Sequence, residues 1–316
     1  MRRTLKPILT RPRDFETFWT KTTDALGRIP PAVSSEVVEQ SQHPELRLNR
    51  ISFRSLDDSL IRGSLLQWTD EIKRPLVIHS HGYGSECAVQ WDWSQAGFNV
   101  LGVDVRGCGI SADALPSPSK WGYILTGIES PETSVLRGAV CDYMQAVEVG
   151  LGLLQDHTNR LILHGISFAG GLALMAEGNL QRADLLVVGV PTFGWAEGRN
   201  FFVKTGSGAE ISRYLTARPE SIEDVMLVLR YFDSMNFADT IQCPTLVGVG
   251  LSDDVVPAKT VYAIANHLTG PREVMEFPVS HTELPEEQLW SKFEDRWMEL
   301  ATKPGALRAD TSKSFQ

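Results

Sequence analysis

The sequence predicts an α/β fold: a mostly parallel sheet with helices on both faces and a helical insertion after a central strand–helix unit. Three observations carry that reading. Short apolar runs alternate with helical patterns through most of the chain, as strands buried on both faces of a parallel sheet require. One run, Leu161-Ile162-Leu163-His164-Gly165, leads into Ile166-Ser167-Phe168-Ala169-Gly170-Gly171. There small residues crowd a serine at a tight strand-to-helix turn. Finally, residues 191–242 break the rhythm with aromatic residues and two helical patterns before strands resume.

Residues 12–27 read as an amphipathic helix whose apolar members are Phe15, Phe18, Trp19 and Leu26. Residues 48–55 and 61–68 alternate as two strands about the polar turn Asp57-Asp58-Ser59. The run 75–80 is a buried strand ending at His81-Gly82-Tyr83-Gly84-Ser85, and a helix then reaches Ala96 and closes on Gly97. Residues 99–104 form another strand, followed by the loop Arg106-Gly107-Cys108-Gly109-Ile110-Ser111. Pro, Gly and Ser make 112–129 a long surface loop. Ser130-Pro131-Glu132 supplies a helix start, with a capping serine, proline at the first position and an acid in the first turn. That helix extends to about Leu154.

The strand to Gly165, the serine turn and a helix to about Asn179 come next. Further strands are expected at 184–189, 244–250 and 273–277, and Pro285-Glu286-Glu287 opens a last helix to about Leu300. The insertion 191–242 carries Phe193, Trp195, Phe201 and Phe202, with helical patterns at 209–217 and 222–232. Its place after the serine turn puts it over the carboxyl ends of the strands, where open α/β sheets bind ligands. Residues 1–302 are expected to form a single domain, and the polar tail 303–316 to be disordered.

The 316 residues suffice to bury a large core. A formal charge of −9 argues against nucleic acid or an anionic membrane as partner. No apolar run is long enough to span a bilayer, and the basic start Met1-Arg2-Arg3-Thr4-Leu5-Lys6 lacks the apolar stretch of a signal peptide. Cys87, Cys108, Cys141 and Cys243 are too scattered for a zinc site or a disulfide framework, so four reduced thiols are expected. No G-x-G-x-x-G follows the first strand and opens a helix, so no cofactor is expected. Trp91-Asp92-Trp93 reads as helix packing in preference to a sugar platform.

A serine hydroxyl attacks poorly at neutral pH unless a base takes its proton and an acid holds that base in the right tautomer. In the chain order of an α/β-hydrolase, Ser is followed by Asp or Glu and then by His. Two histidines lie downstream of Ser167. His267 falls within a helical stretch and suits packing or the surface. His281, in Phe277-Pro278-Val279-Ser280-His281, follows the last strand and is the expected base. The acid belongs after the strand 244–250, in Leu251-Ser252-Asp253-Asp254-Val255-Val256-Pro257. Neighbouring side chains point in different directions, so one of Asp253 and Asp254 reaches His281. Loop position, together with the resemblance given below, favours Asp253 and leaves Asp254 to solvent or to a helix cap. The oxyanion donors are expected to be the backbone N–H of Phe168, next to the nucleophile, and that of Tyr83 in His81-Gly82-Tyr83-Gly84. His79 and His81 read as structural.

The combination resembles the acetylxylan esterase and cephalosporin-C deacetylase family of α/β-hydrolases. The resemblance spans about Arg11 to Leu300. It rests on Pro12-Arg13-Asp14-Phe15-Glu16-Thr17-Phe18-Trp19, the His81-Gly82-Tyr83-Gly84 loop, Asp104-Val105-Arg106-Gly107 and the serine turn. Tyr231-Phe232-Asp233-Ser234-Met235-Asn236 and the segment Cys243 to Asp253 complete it. The resemblance implies a triad of Ser167, Asp253 and His281, with Tyr83 and Phe168 amides as oxyanion donors. It also implies hydrolysis of acetyl esters on small sugars or drug-like alcohols, without a metal, in a cytoplasmic homo-oligomer. Two departures stand out. The family's Gly-x-Ser-Gln-Gly-Gly is changed here by Phe168 and Ala169, which implies a more apolar pocket, and Cys108 stands where the family has Gln. Two rival readings remain: a longer-chain esterase, lactonase or peptidase on the same triad, and a binding protein without catalysis.

Overall fold

Alternate residues of the central strands enter two different cores, and this divides the molecule into layers. In the computed structural model, which describes residues 4–39, 43–200, 203–279, 281, 289–303 and 307, the sheet order is β1-β2-β3-β5-β4-β6-β7-β8-β9. The strands are β1 (Ser34–Val38), β2 (Leu46–Arg54), β3 (Leu60–Trp68), β4 (Arg74–Ser80), β5 (Asn99–Asp104), β6 (Thr158–Ile166), β7 (Leu185–Gly189), β8 (Thr245–Gly250) and β9 (Arg272–Phe277). The first three pair antiparallel, β3 meets β5 antiparallel, and every pairing from β5 through β4 to β9 is parallel.

The helices are α1 (Phe15–Gly27), α2 (Trp91–Gln95), α3 (Val135–Leu153), α4 (Phe168–Leu180), α5 (Ala196–Asn200), α6 (Gly206–Ala217), α7 (Ile222–Tyr231), α8 (Ala258–Ala265) and α9 (Leu289–Thr302). Ile78, Leu101, Leu163, Val188 and Val247 face the larger core with α1, α3, α4, α8 and the insertion. Their neighbours Val77, Val100, Ile162, Val187 and Leu246 face a smaller core completed by Trp93 of α2 and Phe293 and Trp297 of α9. Strands buried on both faces have this alternating double allegiance. With the sharp turn after β6, the architecture is that of an α/β-hydrolase fold. Among the described residues, no helix is long and apolar enough to cross a membrane.

Several elements differ from the sequence expectation. β1 was not foreseen: among the described residues it is an edge strand paired only with β2, mostly exposed, and so lacks an apolar alternation. Before α2, residues 86–90 are irregular, because the Cys87 amide donates to the Asp104 carboxylate at 2.6 Å and draws the chain across the sheet end. Helix α3 starts at Val135 instead of at the Ser130-Pro131-Glu132 signal, and its cap is Ser134, whose hydroxyl accepts from the Leu136 amide at 3.3 Å. The expected surface loop 112–129 is anchored by buried Ile124, Leu125 and Ile128. The Val135 amide also donates to the Thr126 carbonyl at 2.9 Å, tying the end of that loop to the start of the helix. Phe201, Phe202, the helix start at Pro285-Glu286-Glu287 and nearly all of the tail from Lys303 lie outside the described residues.

Two of the motif segments meet in the structure. Phe15, Phe18 and Trp19 of α1 pack edge-on against Tyr231, Phe232 and Phe237. The Asp233 carboxylate, pushed up to about 7 by burial, accepts from the amides of Trp195, Ala196 and Met235. The aromatic contacts fasten the insertion to α1, and the Asp233 bonds tie the two ends of the insertion to each other.

The Asp104-Val105-Arg106-Gly107 segment is held by a buried ion pair. Arg106 donates through Nε and Nη2 to both oxygens of Asp142 on α3, at 2.9 and 2.8 Å, and the Arg106 amide donates to the same carboxylate. A β-carbon at Gly138 would lie 2.3 Å from the guanidinium, so glycine there makes the approach possible. Replacing Asp142 with leucine leaves the buried guanidinium with only the Leu56 carbonyl at 3.0 Å and the exposed Asp57 carboxylate at 3.9 Å among the described residues. The expected loss is about 3–5 kcal/mol of unfolding free energy, read from the urea midpoint. A midpoint like that of wild type would show that the pair is dispensable.

Candidate active site

The serine turn is strained, and its surroundings explain why its residues are small. Ser167 has φ 57° and ψ −113°, a conformation a side-chain-bearing residue adopts only when the fold imposes it. Its amide donates to Gly189 of β7 at 2.9 Å, and its carbonyl accepts from Gly171 and Thr192. A β-carbon at Gly165 would meet the Ala169 carbonyl at 2.3 Å, and one at Gly171 would meet the Thr192 carbonyl at 2.7 Å. Ala169 itself is fully buried. The turn thus closes tightly and leaves Ser167 at the N-terminus of α4. Phe168 is the first residue of that helix, so its amide has no acceptor within the helix, and the positive end of the helix dipole adds to its pull on an anion.

Two loops bring the acid and the imidazole together. The amides of Leu251 and Ser252, just after β8, donate to the carbonyls of Phe277, the last residue of β9, and of Val279 beyond it, at 2.8 and 3.1 Å. This stitching places Asp253 against His281, with Nδ1 2.9 Å from Oδ2. The Asp253 side chain is fully buried, and its other oxygen accepts from the Val255 and Val256 amides at 2.8 Å each. Those bonds fix the carboxylate, and the carboxylate in turn sets the ring, with Nδ1–H donating and Nε2 left as the proton acceptor. Asp254 is exposed. His267, just past the end of α8, is buried and bonds the Ala263 carbonyl at 2.7 Å, so it has a structural partner of its own.

Ser167 and His281 line one cavity of about 650 Å³ together with Gly82, Tyr83, Val255 and Gly206 of α6. His81 holds the loop carrying Tyr83. The Val105 amide donates to its Nε2 at 3.3 Å, so Nδ1 carries the proton and donates to the Gly82 carbonyl at 2.7 Å. The Tyr83 hydroxyl donates to Glu210 of α6 at 2.6 Å and accepts from the Ile124 amide at 3.0 Å. Burial, reinforced by Glu210, raises the Tyr83 pKa well above its ordinary value, so the phenol stays protonated. Glu210 thereby links the insertion to the loop opposite Ser167; the sequence carried no sign of it.

One expectation is corrected. The Phe168 ring does not make the pocket apolar: it is fully buried among His81, Tyr83, Tyr123 and Phe193, with centroids 5.5–6.0 Å away. The residue before the serine, Ile166, lines the cavity instead. Trp93 packs as the sequence suggests, yet it also lines the cavity, as do His79, His164 and Glu294. His164 had a visible sign, a polar residue interrupting an apolar strand; Glu294 had none.

Comparisons with known proteins bear on the family and the fold. The family model described as acetyl xylan esterase (AXE1) matches residues 2–295. Acetyl esterase Axe7A of Xylanibacter ruminicola is 23% identical over 294 residues, which cover 87% of this chain; the chain spans only 64% of that relative's length. The acetyl xylan esterase of Paenibacillus sp. R4 superposes with a TM-score of 0.83 at 25% identity, covering 94% of this chain and 98% of that one. Acetyl xylan esterase 1 of Thermoanaerobacterium sp. superposes with a TM-score of 0.86 at 22% identity, covering 96% and 98%; at that identity the likeness concerns the fold alone.

Proposed function

The chain belongs to the acetyl xylan esterase family, and from that premise we propose that it is a serine carboxylic-ester hydrolase removing acetyl groups from acetylated sugars through an acyl-enzyme on Ser167. The observation that carries the proposal is the buried Asp253–His281 pair sharing a cavity with a serine on a strained strand-to-helix turn. In this reading His281 takes the Ser167 proton through Nε2, and the serine oxygen attacks the acetyl carbonyl. The Tyr83 and Phe168 amides hold the resulting oxyanion, and Asp253 stabilises the imidazolium. His281 then protonates the leaving alcohol. Water, activated by the same imidazole, attacks the acetyl-enzyme and returns the free serine with acetate. Every group named is a protein group, so the scheme calls on no cofactor.

Acetylated oligosaccharides and, by the family resemblance, cephalosporin C are the proposed substrates; a cytoplasmic location and a homo-oligomeric state belong to the same reading. A panel of acetylated xylo-oligosaccharides, sugar acetates, cephalosporin C, p-nitrophenyl esters of increasing chain length and peptide p-nitroanilides tests it. Acetyl esters are expected to exceed the butyryl ester by about tenfold or more in kcat/KM, the scale set by methylenes a pocket does not accommodate. A preference for longer acyl chains, or an anilide rate rivalling the acetyl rate, would replace the deacetylase by an esterase or peptidase.

A further inference from the structure

Beside Ser167 the cavity wall carries polar groups that the reaction above leaves unused. His79 and His164 stand opposite each other in the β4–β6 ladder. His164 is 3% exposed, and its ring centroid lies 4.6 Å from that of Trp93 and 5.3 Å from that of Trp297. Its Nε2 has no hydrogen-bond partner among the described residues. Oε1 of Glu294 is 3.9 Å away, beyond direct hydrogen-bond reach. The Glu294 carboxylate is held in place, because Trp297 donates its indole N–H to Oε2 at 2.6 Å. Trp93, His164, Ile166 and Glu294 line the same cavity as Ser167 and His281. A buried imidazole nitrogen without a partner carries a desolvation cost, unless something entering the cavity satisfies it.

We propose that His164 and Glu294, backed by Trp93, form a subsite that binds a hydroxyl on the alcohol portion of the ester. This rests on Ser167 being the nucleophile. A hydroxyl seated beside the line from Nε2 to Oε1 accepts from the imidazole N–H and donates to the carboxylate, using both of its capacities. Burial drives the His164 pKa down to about 3, so the ring is neutral and an ion pair with Glu294 does not close the gap. Trp93 supplies apolar surface next to the hydroxyl. An alcohol without a hydroxyl leaves both polar groups unpaired, and a site built to bond a hydroxyl discriminates strongly against such an analogue. The subsite therefore selects polyhydroxylated alcohols, sugars above all, over simple alkyl or aryl ones.

The test compares wild type, Glu294→Leu, Glu294→Gln and Ser167→Ala on monoacetylated xylobiose and on p-nitrophenyl acetate, with free xylobiose as inhibitor of the second reaction. The kcat/KM ratio of sugar ester to phenyl ester is expected to fall roughly tenfold in Glu294→Leu and several-fold in Glu294→Gln. The xylobiose inhibition constant should rise in step. A ratio and an inhibition constant that both stay at wild-type values, as when water alone bridges the two groups, overturn the subsite. Should Glu294→Leu not fold, Glu294→Gln keeps the shape of the side chain and both measurements are read on it. Ser167→Ala separates the two claims: turnover of both esters by that variant would defeat the nucleophile reading, whichever way the Glu294 ratio moves.

Discussion

Ser167→Ala is expected to lower kcat for p-nitrophenyl acetate by roughly a million-fold, leaving only what oxyanion donors and binding supply without a nucleophile. The fold should survive, because the Ser167 hydroxyl makes no hydrogen bond to the described residues that the turn depends on; the turn is closed by its backbone. Alanine keeps a β-carbon in the same strained conformation, so the variant relieves nothing and adds no bulk. Circular dichroism and the urea midpoint establish that the protein is folded, and a fluorophosphonate probe gives the complementary readout. Wild type should gain one covalent adduct at Ser167, and the variant none. A folded variant with wild-type turnover, or one labelled as fully as the parent, would mean that the strained serine is architecture and that another group does the chemistry. It would also revive the reading of a binding protein on a hydrolase scaffold.

Asp253→Asn should cost about 10⁴ in kcat, the loss expected when the imidazole is held in the wrong tautomer. The mechanism is specific to this site. One Asp253 oxygen accepts from the Val255 and Val256 amides. An asparagine keeping those bonds must therefore turn its NH₂ group toward His281. Its N–H then donates to Nδ1, the ring proton moves to Nε2, and the imidazole can no longer take the Ser167 proton. Asp254→Asn, a change of the same chemistry one residue away on an exposed side chain, should leave kcat within about twofold, as surface substitutions usually do. Equal losses in the two variants would transfer the orienting role to the loop as a whole. A loss of less than tenfold in Asp253→Asn would detach the pair from catalysis.

Much of the scaffold was legible because its signals are local. Parallel strands buried on both faces must be apolar throughout, which marked β4 to β8 without reference to anything distant. The serine turn announced itself because Gly165 and Gly171 face carbonyls at contact distances no side chain tolerates. Edge strand β1 was silent for the converse reason: with one neighbour and exposed side chains, it has no burial to encode in apolar residues. The start of α3 was misplaced because Ser130 and Ser134 offer similar caps. The tie from the Val135 amide to the Thr126 carbonyl, a contact across the preceding loop, accompanies the later start.

Chain order and strand ends were enough to nominate Ser167, Asp253 and His281, since each follows an apolar run that delivers it to the same edge of the sheet. What only the tertiary structure decided is where side chains go once they arrive. Asp253 faces His281 because two amides grip its carboxylate, whereas the Asp254 side chain is exposed. The Phe168 ring enters the core while its amide stays at the helix start, because the strained turn separates the directions of backbone and side chain. Glu210, Trp93, His164 and Glu294 come from elements far apart in sequence and converge through packing, which no local pattern records. Residue type and spacing set the chemistry available to this chain; the packing of distant elements determines which groups can use it.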